Sequence, residues 1–278
     1  MMLLLLLAIA LGFLVIERRW PSGSLPAVEG WWLRIVFVNA VQLGVVVLAG
    51  ITWDYWLQGA SLFRLRDHLP VGAQAVVAYF VSTFVYYWWH RVRHESKLFW
   101  RLCHQLHHSP RRIELVTSFY KHPVEITLNS LISALLVYSL LGCSPAAAAV
   151  YTVLIAVAEY FYHWNIRTPR WLGWWIQRPE SHRIHHQTRH HTQNFADLPI
   201  WDWLFGTLQN PVAGTRTECG FEGGREERFT DMLGFRDVHA PGAQEHPPVT
   251  LLPTCFGCSK RWKCASAAVG PSARGSTS

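Results

Sequence analysis

The sequence has no dense cysteine framework. Its six cysteines, Cys103, Cys143, Cys219, Cys255, Cys258 and Cys264, are scattered, which argues against the disulfide scaffold of a small secreted domain. Cys255 and Cys258 form a lone CxxC in a low-complexity stretch. With no second pair and no βαβ context, free thiols are the plainer reading than a zinc or redox motif. No nucleic-acid-binding motif accompanies the net charge of +7, so that charge is better assigned to cytoplasmic loops and lipid headgroups. There is no HExxH, no flavin or dinucleotide fingerprint and no haem-binding His-Pro-Gly-Gly segment. The motif of a zinc hydrolase and the motifs of the common redox cofactors are therefore missing from this stretch of chain.

What the sequence has in quantity is apolar surface. Half of its 278 residues are hydrophobic, 15 of them Trp, and the long apolar runs all precede residue 165. Residues 2–16 form the first run, followed by Glu17, Arg18 and Arg19. Because the charges come after the run and no small-residue cleavage site is evident, a first membrane helix fits better than a signal peptide. It is short against the ~20 residues a full span needs. Residues 32–52 and 71–89 make the next two runs. Trp31, Trp32, Trp53 and Trp56 stand at the ends of the second, where an aromatic belt belongs. Residues 124–142 and 145–162 are separated only by a Gly142-Cys143-Ser144-Pro145 link, which predicts a helical hairpin entering and leaving on one side. The stretch 90–122, between the third run and this hairpin, is basic, with Arg91, Arg93, Lys97, Arg101, Arg111, Arg112 and Lys121, which places it on the cytoplasmic face. The order is self-consistent: the hairpin returns the chain to the face it left.

The expected fold is an all-α integral membrane bundle of four to five embedded helices. Residues 1–70 supply N-terminal membrane helices and 71–210 the functional unit. Residues 211–239 are a C-terminal extension, and 240–278 read as a disordered tail. Trp164, Trp171, Trp174, Trp175, Trp201 and Trp203 give residues 165–210 an interfacial character and predict amphipathic helices at the headgroups. Phe221, Phe229, Met232, Leu233 and Phe235 give the extension something to pack.

Histidines gather in three groups: His90 and His94; His104, His107 and His108; His182, His185 and His186. On a helix, positions i, i+3 and i+4 share a face, so each group is expected to aim its imidazoles at one point. Eight imidazoles exceed one tetrahedral shell. The reading is two metals, or one metal with a redundant shell, and neutral imidazole suits Zn, Cu, Fe and Ni alike. His68, His239 and His246 stand apart and read as ordinary hydrogen-bonded side chains.

The order HxxxH, HxxHH, apolar hairpin, HxxHH resembles the fatty acid hydroxylase/sterol desaturase superfamily of membrane di-iron oxygenases. Lys121-His122-Pro123-Val124-Glu125 is similar to that family's His-Pro element. Phe161-Tyr162-His163-Trp164-Asn165 resembles its extra histidine after the hairpin, and Asn194 with Leu198–Thr207 its closing segment. The resemblance covers roughly residues 75–210. It implies a helical membrane protein with a cytosolic histidine-rich cap, two irons, and O2-dependent hydroxylation or desaturation of a lipid such as a sterol, fatty acyl or ether lipid. It implies His90, His94, His104, His107, His108, His182, His185 and His186 as metal ligands, with His163 a ninth. Some relatives carry another histidine four residues after the last of these. Here that position is Arg167, which leaves one shell open, with His190 or His191 as a substitute. His122 is expected behind the ligands or facing substrate, not on the metal.

The chemistry suits the residues. Abstracting hydrogen from an unactivated C–H bond needs a redox metal, with the protein supplying position and a dry cavity. Glu159, Glu180 and Asp202 are the carboxylates expected to orient imidazole rings, and Tyr86, Tyr87, Phe119 and Tyr120 are candidates for lining a lipid slot, or simply for packing. The two electrons each turnover consumes must come from outside, from a separate protein of the cytochrome b5 or ferredoxin type or a small reductant such as tetrahydrobiopterin. Two other functions compete: a zinc-dependent membrane hydrolase, against which the missing HExxH counts, and a non-catalytic metal-binding protein of the same fold.

Overall fold

The computed structural model describes residues 2–59, 61–190, 192–212 and 217–239. The Cys255–Cys258 pair, Cys264, His191, His246 and the predicted tail lie outside the described residues. Among those described there is no strand beyond an isolated bridge between Gln187 and Cys219. The helices are α1 (Met2–Arg19), α2 (Trp31–Ile51), α3 (Trp53–Trp56), α4 (Val71–Glu95), α5 (Lys97–Phe99), α6 (Gln105–His108), α7 (Pro123–Ala134), α8 (Pro145–His163), α9 (Pro179–His185), α10 (Pro199–Leu204) and α11 (Phe229–Leu233). The all-α expectation holds. Among the described residues four helical stretches are long and apolar enough to cross a membrane: Trp31–Trp56, Val71–Glu95, Pro123–Leu140 and Pro145–His163.

The predicted hairpin is present and its ends are built by local chemistry. Pro123 opens α7, where its missing N–H is no loss, and His122 Nδ1 accepts the Val124 N–H at 3.1 Å. Pro145 opens α8, and Ser144 Oγ accepts from Ala147 N, the usual N-cap device. Between them α7 loosens into a π-helical segment, Leu135–Leu140. The chain then turns at Gly142, whose φ of 65° favours glycine. A Cβ at Gly142 would also collide with Ser61 and lie 2.9 Å from the Arg64 Cα.

Small residues let the bundle close. Ala75 and Ala78 of α4 meet Ala147, Ala148 and Tyr151 of α8, together with Leu136 and Val137 after α7. The starts of α4 and α8 therefore lie together with the end of α7. The two helices run parallel, α7 runs against them, and the histidine-bearing ends of α4 and α8 meet at the opposite end. α1 lies along α8, with the Phe13 and Trp164 rings 4.3 Å apart. Its Glu17 is buried and accepts the backbone N–H of Leu115 and of Asn165. The first apolar run is thus helical, but with Glu17, Arg18 and Arg19 in its last turn it is not one of the four spans.

Residues 165–210, where amphipathic helices are expected, form a 3-10 turn, Arg170–Trp174, and two short helices, α9 and α10. Pro169, Pro179 and Pro199 restart the chain each time, and a buried cation organises it. The Arg178 guanidinium donates to Thr168 O, Thr168 Oγ1, Asn210 Oδ1 and Pro211 O. Residues 217–239 do pack: Phe221, Met232 and Val238 are buried in one cluster with Trp31, Trp100 and Tyr120.

Candidate metal centre

All nine histidines singled out in the sequence meet at the end of the bundle, but not as three groups. His90, His94, His104, His108 and His185 form one set, and His107, His163, His182 and His186 a second, each with ring nitrogens within 4.8 Å of one another. The expectation that each motif aims at a single point is wrong for both HxxHH motifs. His104 and His108 join the first set and His107 the second; His182 and His186 join the second and His185 the first. At 3.6 residues per turn, i+3 and i+4 project roughly 100° apart on either side of i. Adjacent histidines of one motif therefore feed two sites, and the two motifs trade members reciprocally.

Local structure sets these directions. His90 and His94 occupy the last turns of α4. His104 ends a π-helical turn, Trp100–His104, and α6 continues with His107 and His108; such π turns recur at functional sites. His182 and His185 lie in α9, with His186 capping it. His163 closes α8. The rings are enclosed: His108, His163, His185 and His186 have no exposed surface, with Trp100 and Phe195 packed against them.

The ring nitrogens facing away from the sets are held by fixed acceptors. His90 Nδ1 donates to Phe195 O at 2.7 Å, His185 Nδ1 to Gln193 O at 2.6 Å, His107 Nδ1 to Tyr120 O at 3.2 Å and His163 Nδ1 to Glu159 O at 2.9 Å. A carbonyl only accepts, so these Nδ1 atoms carry the proton and Nε2 presents a lone pair inward. His104 Nδ1 donates to the buried Glu125 carboxylate at 3.1 Å, which is itself ion-paired with the buried Arg93. Burial and neighbouring imidazoles, His186 first in both cases, hold His107 and His108 well below the usual histidine range; burial, then His163 and His186, do the same to His182. These are neutral rings, the form that ligates metal.

The residues fit a cation in each set. Within the first, His94 Nε2 and His104 Nε2 are 3.0 Å apart and His104 Nε2 and His108 Nε2 3.2 Å. Within the second, His163–His182 and His182–His186 Nε2 pairs are each 3.1 Å apart. Nitrogens bound at about 2.0–2.1 Å to one metal stand roughly 3.0–3.4 Å apart. Nε2 of His90 is buried and has no hydrogen-bond partner among the described residues. Converging lone pairs in a dry site are costly unless a cation gathers them.

The other candidates divide. The Glu159 carboxylate pairs with Lys121 Nζ at 2.6 Å and stands 3.9 Å from His163 Nδ1; it is the backbone carbonyl of Glu159 that holds the ring. Asp202 touches no imidazole. It accepts from Phe195 N, Ala196 N and Thr207 Oγ1, which fixes the peptide that orients His90. Burial pushes its carboxyl up to about 6, so near neutral pH it is still the acceptor those three donors require. Asn194, at φ 55°, bonds Ser181 O, Gln209 O and Gln209 N and anchors the same loop. Glu180 turns away from the rings to Thr168 and Arg178.

His122 belongs to neither set; it caps α7 and reaches Leu233 O. Arg167 is exposed and reaches Ser22 O, and His190 pairs with Gln193 Oε1, so neither enters the four-histidine set. Tyr86, Tyr87, Phe119 and Tyr120 are engaged in packing and hydrogen bonds: Tyr86 to Asn129 O, Tyr87 to Thr207 and the Phe205 ring, Phe119 to Tyr160 and Tyr120 to Trp31. Glu125 was not foreseen as an orienting carboxylate. An acid in the first turn of a helix has an ordinary local explanation in the helix dipole, and only the fold shows His104 above it.

Residues 75–207 match the fatty acid hydroxylase family. An ornithine lipid hydroxylase from Rhizobium tropici is 29% identical over 172 residues, 60% of this chain and 51% of the relative. A sphinganine C4-monooxygenase from Arabidopsis thaliana is 27% identical over 200 residues, 70% of this chain and 77% of the relative. An alkylglycerol monooxygenase from Xenopus tropicalis is 30% identical over 130 residues, 45% of this chain and 28% of the relative. The chain thus spans about half the length of the first of these and far less of the third. No solved structure matches it. Residues 75–207, just under half of the chain, hold the eight imidazoles of the three motifs together with His163, and it is this stretch that matches the fatty acid hydroxylase family.

Proposed function

We propose that this chain is a multi-pass membrane oxidoreductase that uses O2 to hydroxylate or desaturate a lipid, with residues 71–210 as the catalytic unit. The observation that carries the reading is the pair of buried, all-imidazole sets at one end of an apolar bundle. His90, His94, His104, His108 and His185 would hold one iron, and His107, His163, His182 and His186 the other. Bound iron supplies the O2 activation and C–H cleavage that no acid–base side chain provides. For hydroxylation the balance is R–H plus O2, two electrons and two protons giving R–OH and water. The electrons come from a separate electron-transfer protein or a small organic reductant.

The chain's own residues position and exclude. The carbonyls of Phe195, Gln193, Tyr120 and Glu159 and the carboxylate of Glu125 fix five rings before any metal arrives. Trp100 and Phe195 keep water from the first set. Placement on the cytoplasmic face is supported by Lys97 and Arg101, which stand exposed beside the histidines. The names of the relatives support a lipid as substrate, and sterol, fatty acyl, sphingoid and ether lipids all fit a site at the end of membrane helices.

The test is lipid analysis of cells expressing the wild type, His107→Ala or His185→Ala, with 18O2 supplied. A lipid gaining 18O or a double bond in the wild type and in neither variant is expected. An active, O2-independent protein holding stoichiometric zinc would instead establish the hydrolase reading.

A further inference from the structure

One face of the histidine-bearing cap is almost free of charge. It is built from residues 170–176 and 198–212, whose charged residues are Arg170 and Asp202 alone. Asp202 is buried and spends its oxygens on Phe195, Ala196 and Thr207. Four tryptophans point outward: Trp171, Trp174, Trp175 and Trp203 are 62%, 58%, 74% and 65% exposed. Ile200, Leu204 and Val212 are exposed beside them, and Trp174, Trp203 and Val212 line one cavity. An apolar face of this kind on a soluble surface would drive association.

Its position along α4 identifies what covers it. Trp201 Nε1 donates to Thr83 Oγ1 at 2.8 Å, and its ring lies 5.3 Å from Phe80 and 5.0 Å from Phe84. Thr83 is seven residues before His90, roughly 10 Å further along the helix at 1.5 Å per residue. α10 therefore does not sit above the end of α4. It packs beside the middle of a helix long and apolar enough to span a bilayer, against Phe80 and Phe84, which are themselves exposed. Ile200 and Trp203, the exposed neighbours of Trp201 in sequence, carry the apolar face up to that helix.

We propose that the 170–176 and 198–212 face is inserted into the leaflet around the histidine end of the bundle, with lipid acyl chains as its occupant and Arg170 at the phosphate level. Tryptophan suits this depth, because its ring is apolar while its N–H still finds a polar partner. The inference rests on reading α4 as a membrane span.

The purified full chain is placed in phosphatidylcholine nanodiscs, where both membrane faces meet the reagent and no partner protein is present. Trp174→Cys, Trp203→Cys, Val76→Cys and Lys97→Cys are made singly and exposed to a membrane-impermeant maleimide. Labelling is read residue by residue by peptide mass spectrometry, with full labelling in SDS as the control. The expected result is that positions 174 and 203 react at least tenfold more slowly than position 97, as position 76 does. If 174 and 203 react like 97 while 76 stays protected, the face is outside the leaflet and α4 is still a span. If 76 reacts fast as well, the membrane reading of α4 fails and the inference with it.

Discussion

The two histidine sets share a construction and differ in how completely they are built. The first has five imidazoles; the second has four. Each lies beside a glutamate paired with a cation, Arg93–Glu125 for the first and Lys121–Glu159 for the second. Only the first of these carboxylates reaches a ring: Glu125 meets His104 at 3.1 Å, whereas Glu159 stays 3.9 Å from His163. The second set is thus the sparser, and Arg167, four residues after His163, does not complete it. Two sites that share both HxxHH motifs can therefore differ in affinity, the first taking its remaining imidazoles from α4 and the second from α8.

The largest test of that difference is ligand deletion. His182→Ala leaves three imidazoles in the second set, while His90→Ala leaves four in the first. Metal analysis of the purified variants is expected to show one iron lost from His182→Ala and a smaller loss from His90→Ala, with product formation abolished in the former. Equal losses would remove the asymmetry.

Next come the carboxylates. Removing an outer hydrogen-bond partner typically lowers metal affinity roughly 10–100-fold. Glu125→Gln is expected to fall in that range in competition with a chelator, and Glu159→Gln well below it. Glu125→Gln also leaves the buried Arg93 without its counter-charge, which costs about 3–5 kcal/mol when a buried pair is broken. A thermal melt of the metal-free protein separates that loss from the loss of affinity, and Glu125→Gln is expected to melt lower than Glu159→Gln.

A smaller effect is expected from Asp202→Asn, which keeps one acceptor oxygen for Phe195 N and Thr207 Oγ1 and turns an amide NH2 toward the third donor, Ala196 N. It acts through the Phe195 peptide on His90 alone, so it should weaken the first set and spare the second. Loss of metal from both sets would mean that the loop supports the whole cap.

The pH dependence follows from the neutral rings. His107, His108 and His182 are held well below the ordinary histidine value of about 6.5 in the folded protein. The unfolded chain therefore binds more protons than the folded one as pH falls below about 6.5, and the metal-free protein loses stability there, by about 1.4 kcal/mol per such group per pH unit. Its melting temperature is expected to be lower at pH 5.5 than at pH 7.5, and added iron, which binds only neutral rings, is expected to raise the melting temperature at pH 7.5 at least as much as at pH 5.5.

Much of this was legible in the sequence. The apolar runs gave the helices because a bilayer-length run has few other uses, and the histidine spacings identified all nine imidazoles once the resemblance added His163. Their division into sets was not legible. His107 and His108 are adjacent in sequence, and only the helix phase after the π turn at Trp100–His104 sends them to different sites. Glu125 was hidden for a similar reason, since its partner His104 lies 21 residues away in another element. The short helices of 165–210 escaped because tryptophan spacing suggested an amphipathic helix, whereas prolines and the buried Arg178 broke it up.

The proposed function requires two separate metals, held in sets of five and four imidazoles. The most direct measurement is the iron content of the full chain purified from iron-supplied cells, for the wild type and His182→Ala. The account predicts two irons per chain in the wild type and one in the variant. One iron in the wild type, retained undiminished in His182→Ala, would contradict it.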